Sequence, residues 1–102
     1  MTIETTYPLI PNRGTVDGTG ITSTSTPVTV VTANHEGEGL AISNTCDGDV
    51  TLTYNGVAWI DLPAQQGGGI DLRRVRIPVG TIIGALRRTA ASTTGWLTLT
   101  VI

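Results

Sequence analysis

The strongest structural signal in this sequence is the stretch DVTLTYNGVAWIDL, residues 49–62. Polar and apolar residues alternate over residues 49–54, as they do in a β-strand that buries one face. Asn55-Gly56 follows, and this dipeptide readily adopts the two positive φ angles that a type I′ hairpin turn requires. We therefore predict a β-hairpin whose return strand is formed by residues 57–62.

The two-residue turn also predicts the register of this hairpin. Counting outward from the turn, three cross-strand pairs follow: Tyr54 with Val57, Leu52 with Trp59, and Val50 with Asp61. Large apolar side chains that face each other across two strands stabilise a sheet. We therefore expect Trp59 to pack on Leu52 in the core.

Further segments have the composition of short strands: residues 28–33, 40–43, 70–77, 81–88 and 96–102. Within residues 70–77 the apolar phase slips at Arg73-Arg74, which predicts a bulge or a switch between sheets. Residues 81–88 fit either a strand with a bulge at Gly84 or a short helix. About seven short strands separated by Gly-rich turns predict an all-β domain, either a small antiparallel β-sandwich or a jelly-roll-like barrel.

Residues 1–27 differ in composition from this body. They include Tyr7-Pro8-Leu9-Ile10-Pro11, in which each proline favours extended geometry in the residue before it. Few apolar residues follow before Val28, so we predict an extended N-terminal arm over residues 1–27 and a β-sandwich body over residues 28–102. We expect the arm to dock on a neighbouring molecule through the side chains of Tyr7, Leu9 and Ile10.

The charged residues are divided unevenly along the chain. Residues 1–72 hold all eight acidic residues and one arginine, whereas residues 73–102 hold five arginines and no acid, within a net charge of −2. If the segments on either side of Pro78-Val79-Gly80 pair as a hairpin, these arginines converge into one basic surface. We expect this surface to bind acidic groups of a partner through Arg73, Arg74, Arg76, Arg87 and Arg88. The alternative is a solvated polar edge that discourages aggregation.

Catalytic chemistry has little support in this sequence. His35 is the only histidine, Cys46 is the only cysteine, and no serine lies in a nucleophile-elbow motif. The glycine clusters lack the lysine of a phosphate-binding loop. Two acidic segments, residues 35–38 and 47–49, could offer oxygen ligands to calcium, but we interpret them as solvated turns. We predict a protein that is not an enzyme and that uses no cofactor and no metal.

Two classes of partner are not expected. No apolar segment has the length of a membrane span, and the chain opens without a basic and apolar leader, so we expect synthesis in the cytoplasm and no membrane binding. Overall acidity and the absence of lysine argue against nucleic acid as a partner.

Trp96 lies on the opposite phase from Leu97 and Leu99, which predicts that it is exposed or contacts a partner.

The pattern of a Thr-, Pro- and Gly-rich arm before a Thr-rich body of short strands is similar in style to small capsid decoration (cement) proteins of tailed bacteriophages. The segments that also resemble small β-sandwich virion proteins run from Ala41-Ile42-Ser43-Asn44-Thr45 through Leu62-Pro63-Ala64 and Ile70-Asp71-Leu72. The resemblance carries over no catalytic residue.

This resemblance implies a structural role on the capsid surface of a virion. It implies a homo-oligomer, with a trimer favoured, that binds the major capsid protein or another virion protein. The alternative is a tail or fibre adhesion module that binds carbohydrate. Exposure of Trp96 and Tyr7 on one face would favour this alternative, because sugar rings stack on exposed aromatic side chains.

Overall fold

The computed structural model describes residues 12–64, 69–89 and 91–102. The predicted contact residues Tyr7, Leu9 and Ile10 lie outside this part of the chain. The described residues form β-strands and one 3-10 turn, Gly18–Gly20. The strands are β1 (Arg13–Asp17), β2 (Val28–Thr32), β3 (Gly37–Asn44), β4 (Val50–Tyr54), β5 (Val57–Leu62), β6 (Ile70–Ile77), β7 (Ile82–Arg87) and β8 (Trp96–Val101).

These strands form two antiparallel sheets that pack face to face. The strand order is β1-β8-β3-β6 in the first sheet and β2-β7-β4-β5 in the second. Side chains from both inner faces are fully buried between the sheets, including Leu40, Leu97 and Leu99 from the first sheet and Leu52 and Ile83 from the second. The prediction of an all-β sandwich is therefore confirmed, and residues 81–88 contribute a strand rather than a helix.

The predicted hairpin is formed by β4 and β5, but its register differs beyond the turn. Asn55 and Gly56 adopt φ angles of 50° and 87°, as the turn requires, and Tyr54 faces Val57 as predicted. The other two predicted pairs are wrong, because β5 contains one extra residue opposite Leu52 and Thr53. The observed pairs are Leu52 with Ile60 and Val50 with Leu62.

The bulge in β5 also changes the position of Trp59. This side chain is half-buried at the margin of the core, not enclosed against Leu52. It contacts Tyr54 edge to face, with ring centroids 5.3 Å apart and an interplanar angle of 74°. The Tyr54 hydroxyl donates to the carbonyl of Arg76 at 3.4 Å, so Tyr54 connects the end of β4 with β6 in the other sheet.

The body of the domain begins earlier than predicted. Residues 13–17, assigned from sequence to the arm, form β1 and pair with β8 over their whole length. Ile21 is buried, with 2% of its surface exposed. At Gly14 an added Cβ would lie 1.8 Å from the Val30 carbonyl oxygen, so β1 is packed closely against β2. The predicted boundary at residue 27 therefore lies too far along the chain, because an edge strand needs few apolar residues when backbone hydrogen bonds hold it.

The phase slip at Arg73-Arg74 is a bulge, as one of the two sequence interpretations predicted. The pairing of β3 with β6 shifts between Gly37 and Gly39, and Arg74 has a φ of 61°. A Cβ at Gly39 would lie 2.4 Å from the Leu72 carbonyl oxygen, so the close approach at this bulge requires glycine. The bulge therefore bends β6 at the segment that contains Arg73, Arg74 and Arg76.

Candidate functional site

The five arginines of the predicted basic surface lie in two separate places. Arg73, Arg74 and Arg76 are on β6 at the edge of the first sheet, whereas Arg87 ends β7 in the second sheet and Arg88 follows it. The expected β6–β7 hairpin does not form, because β6 pairs with β3 and β7 pairs with β2 and β4. The turn between them instead connects the two sheets. The structure therefore does not bring all five arginines to one surface through that hairpin.

The division of charge along the sequence is largely cancelled in space. Each of three arginines lies beside an acid from the first 72 residues. The ion pairs are Arg76 with Glu36 at 3.0 Å, Arg73 with Asp71 at 3.4 Å, and Arg88 with Asp61 at 3.7 Å and with Asp49 at 3.9 Å. Such solvent-exposed pairs contribute no more than about 1 kcal/mol each, so they neutralise charge more than they stabilise the fold.

Arg87 and Arg88 belong to the framework at one end of the sandwich. The backbone N–H of Arg87 donates to the Ser23 carbonyl at 2.8 Å, and that of Arg88 donates to the Asp49 carbonyl at 3.2 Å. The Nε atom of Arg87 is buried and has no hydrogen-bond partner among the described residues. These contacts hold the segment before β2 and the start of β4 against the end of β7.

Arg74 is the arginine that the fold leaves available at the β6 edge. It is exposed, and no acidic side chain of the described residues lies within ion-pair distance of it. Its positive φ is unusual for any residue other than glycine, asparagine or aspartate. Such conformations persist only where the surrounding structure maintains the strain, and residues that adopt them cluster at functional sites.

An open cleft lies beside Arg74. Its volume is about 530 Å³, and it is lined by Glu36, Glu38, Gly39, Arg73, Arg74 and Ile102. A second pocket shares Glu36, Glu38 and Arg74 with this cleft and is also lined by Val75 and Arg76. Glu36 is paired with Arg76, whereas Glu38 is exposed and forms no ion pair with a described residue. We call this surface the β6 cleft.

The acidic side of the β6 cleft was missed in the sequence. Residues 35–38 were interpreted from sequence as a solvated turn, but Gly37 and Glu38 belong to β3. Gly37 is required there, because an added Cβ would lie 2.3 Å from Cγ1 of Val101. The alternation of glutamate and glycine over residues 36–39 was the available signal for a strand, but two glycines in four residues favoured a loop.

Cys46 and His35 are not brought together as a nucleophile and base. The whole of β3 separates them along the sheet, about 26 Å for eight residues. Burial raises the pKa of the Cys46 thiol, and a hydrogen bond with Ser92 only partly opposes this effect. A thiol with a raised pKa is protonated and weakly nucleophilic at neutral pH. His35 contacts the side-chain amides of Asn34 at 2.9 Å and Asn12 at 3.3 Å.

The acidic turn at residues 47–49, one of the two segments considered as a source of calcium ligands, has other partners. Asp47 accepts hydrogen bonds from the backbone N–H groups of Thr93 and Thr94 and from the Thr93 hydroxyl. The Thr93 hydroxyl, followed by these N–H groups, holds the pKa of the Asp47 carboxyl below its usual range. Asp49 accepts from the backbone N–H of Ala64 at 2.8 Å. In residues 12–64, 69–89 and 91–102, no three His, Cys, Asp or Glu side chains are grouped so that they could hold a metal ion.

Trp96 is the second exposed feature of the first sheet. Its side chain is 54% exposed, whereas Leu97 and Leu99 are completely buried, which confirms the phase assigned from sequence. Asp17 is its direct partner across the β1–β8 pair. On the same outer face, the hydroxyls of Thr15 and Thr98 are in hydrogen-bond contact at 3.1 Å.

No protein-family model, no curated protein and no solved structure matches this chain. The described part of the chain also contains no helix long and apolar enough to span a membrane. The functional argument therefore rests on the surface geometry and on the residues themselves.

Proposed function

We propose that this chain is a non-enzymatic structural protein of a virus particle, of the capsid decoration (cement) type that its sequence resembles. In this role it binds at the surface of the capsid shell and stabilises it. Its contacts are made by residues 1–11 and by the β6 edge, with the major capsid protein or another virion protein, or with another copy of the chain.

The observation that carries this proposal is the exposed Arg74, which has a strained backbone at the β6 bulge and forms no ion pair with a described residue. Arginine suits docking, because its planar guanidinium group binds carboxylates in a bidentate manner and is more weakly hydrated than an ammonium group. A sheet edge is also a rigid support, so little backbone entropy is lost when a side chain on it binds. Together these properties support a role in assembly.

The engagement of the reactive side chains supports a non-enzymatic role. Cys46 is buried with a raised pKa, and His35 contacts neighbouring amides. The open β6 cleft is lined by arginines and glutamates, which suit recognition of a charged surface. In the proposed role, Cys46 and His35 contribute to the framework, and the charged side chains of the cleft contribute to binding.

The test compares two double variants that each remove two positive charges. Arg74→Gln with Arg76→Gln alters the β6 edge of the first sheet. Arg87→Gln with Arg88→Gln alters the two arginines at the end of β7 in the second sheet. Each protein is mixed with capsid shells of the virus that encodes the chain. The shells are pelleted by centrifugation at several salt concentrations, and the protein bound to them is measured. Truncation of a docked arginine costs roughly 2–5 kcal/mol, so the β6 variant should bind at least about 30-fold more weakly. Equal binding by the wild type and both variants, with no salt dependence, would refute docking through this edge.

The exposed Trp96 favours a second candidate function, a carbohydrate-binding tail or fibre adhesion module. An indole ring beside a carboxylate and a row of hydroxyls offers both stacking and hydrogen bonds to a sugar. A glycan array followed by titration of Trp96→Ala tests this candidate. Saturable glycan binding by the wild type that Trp96→Ala abolishes, without any binding to shells, would replace the decoration role with adhesion.

A further inference from the structure

The β6 cleft carries two opposite charges that the described residues leave unpaired. Arg74 lies on its β6 side and Glu38 lies on its β3 side, and both line each part of the cleft. Ile102, which is 45% exposed, and the half-buried Val75 provide apolar surface in the lining that contains these charges. Apolar surface with charged groups around it is the usual arrangement of a protein–protein contact.

We propose that the β6 cleft is the contact between two copies of this chain that are related by a two-fold axis. In this contact, Arg74 of each copy binds Glu38 of the other copy, and the two Ile102 side chains lie near the axis. The inference deepens the proposed assembly role, because it names the neighbour that Arg74 binds.

The charge pattern leads to two-fold symmetry. A two-fold contact places the same surface of both copies together, so that surface must be complementary to itself. A single cleft with one cation and one anion that no described residue pairs meets this requirement. A ring of three copies would instead need Arg74 and Glu38 on two separate surfaces. The two-fold contact therefore replaces the trimer that the sequence resemblance implied.

The bulge determines how the two copies meet. A regular β6 edge could pair with a second β6 by backbone hydrogen bonds, but a bulge with a left-handed residue interrupts such pairing. The contact is therefore made mainly by side chains. Ion pairs at a partly solvated contact are screened by salt, so the dimer should weaken as ionic strength rises.

A charge-swap experiment on the full chain tests this contact by sedimentation equilibrium at low salt. The variants Arg74→Glu and Glu38→Arg each create two like-charge contacts per dimer, and each alone should dimerise at least about 100-fold more weakly than the wild type. An equimolar mixture of the two variants restores both opposite-charge contacts. The mixture should form a heterodimer with an affinity within about tenfold of the wild type.

Arg13→Glu is the matched control, because it makes the same charge change on β1 at the opposite edge of the same sheet. It should dimerise like the wild type, and thermal melting should show that all variants are folded. A wild type that stays monomeric at about 1 mM overturns the inference. A trimer, unaffected single variants, or a mixture that remains monomeric overturns it as well.

These outcomes are separate from those of the proposed function, because no capsid shell is present. A monomeric chain that binds shells would overturn the two-fold contact and leave the decoration role intact. A dimer with the expected charge-swap behaviour that binds no shell would overturn the decoration role and leave the contact intact.

Discussion

Replacement of Arg74 by glycine separates the backbone strain at the β6 bulge from the chemistry of the guanidinium group. Arg74 has a φ of 61°, and this left-handed region costs a residue with a side chain about 1–2 kcal/mol. Glycine removes that strain but has greater freedom in the unfolded chain, which costs about 0.5–1 kcal/mol. The Arg74 side chain is exposed, so little packing is lost. We expect Arg74→Gly to raise the free energy of unfolding by about 0.5–1 kcal/mol.

Thermal and urea unfolding measure this effect directly. For a domain of this size, the expected gain raises the melting temperature by about 2–8 °C. Arg73→Gly is the control, because Arg73 is an exposed neighbour on the same strand and does not have a positive φ. It should lower the free energy of unfolding by about 0.5–1 kcal/mol.

The strain at the bulge and the binding role of Arg74 predict opposite changes in stability and in assembly for Arg74→Gly. Arg74→Gly should be more stable than the wild type and yet assemble more weakly, because it loses the group that binds the neighbour. If Arg74→Gly and Arg73→Gly destabilise the protein equally, the bulge stores no strain and the reasoning is refuted. If Arg74→Gly assembles normally, the guanidinium group of Arg74 does not bind the neighbour.

Three further outcomes are expected. Deletion of residues 1–11 should leave a cooperative thermal transition, whereas deletion of residues 1–21 should abolish it, because β1 and Ile21 are then lost. Trp59→Ala should lower the free energy of unfolding in urea by about 2 kcal/mol, less than the 3–5 kcal/mol of a fully buried tryptophan, and a larger loss would place Trp59 in the core. The lowered pKa of Asp47 stabilises the fold at neutral pH, and this contribution should be lost as the pH falls below about 4. Asp47→Asn should lack that part of the acid dependence in melts from pH 7 to 3, and an unchanged profile would show that Asp47 contributes none of it.

The hairpin shows both the success and the limit of local reasoning. The turn and the pair of Tyr54 with Val57 were predictable, because positive φ at Asn55-Gly56 depends on those two residues alone. The later pairs were not predictable, because an extra residue in β5 moves Trp59 out of register. Such a bulge is stabilised by packing at the sandwich margin, and the Tyr54 contact and β6 contribute to that packing.

The arginines of the candidate site were predictable from the sequence, but the acidic residues beside them and the way the strands bring both together were not. The arginines were identified from their clustering, and the bulge at Arg73-Arg74 from a slip in apolar phase. The acidic side of the cleft could not be identified, since Glu36 and Glu38 lie about 35 residues earlier in the chain. The pairing of β3 with β6 brings these acids beside the arginines, and no local pattern specifies that pairing.

The sequence by itself determined the all-β class, the Asn55-Gly56 turn, and the inward face of β8, where Leu97, Leu99 and Val101 are buried. Each of these depends on the φ preferences of one or two residues or on alternation within one strand. Only the tertiary structure decided that β1 belongs to the body, that β6 and β7 lie in different sheets, and that Arg74 has no acidic partner among residues 12–64, 69–89 and 91–102. These features depend on which distant strands pair, and that choice is made by the burial of both sheets against each other rather than by any segment alone.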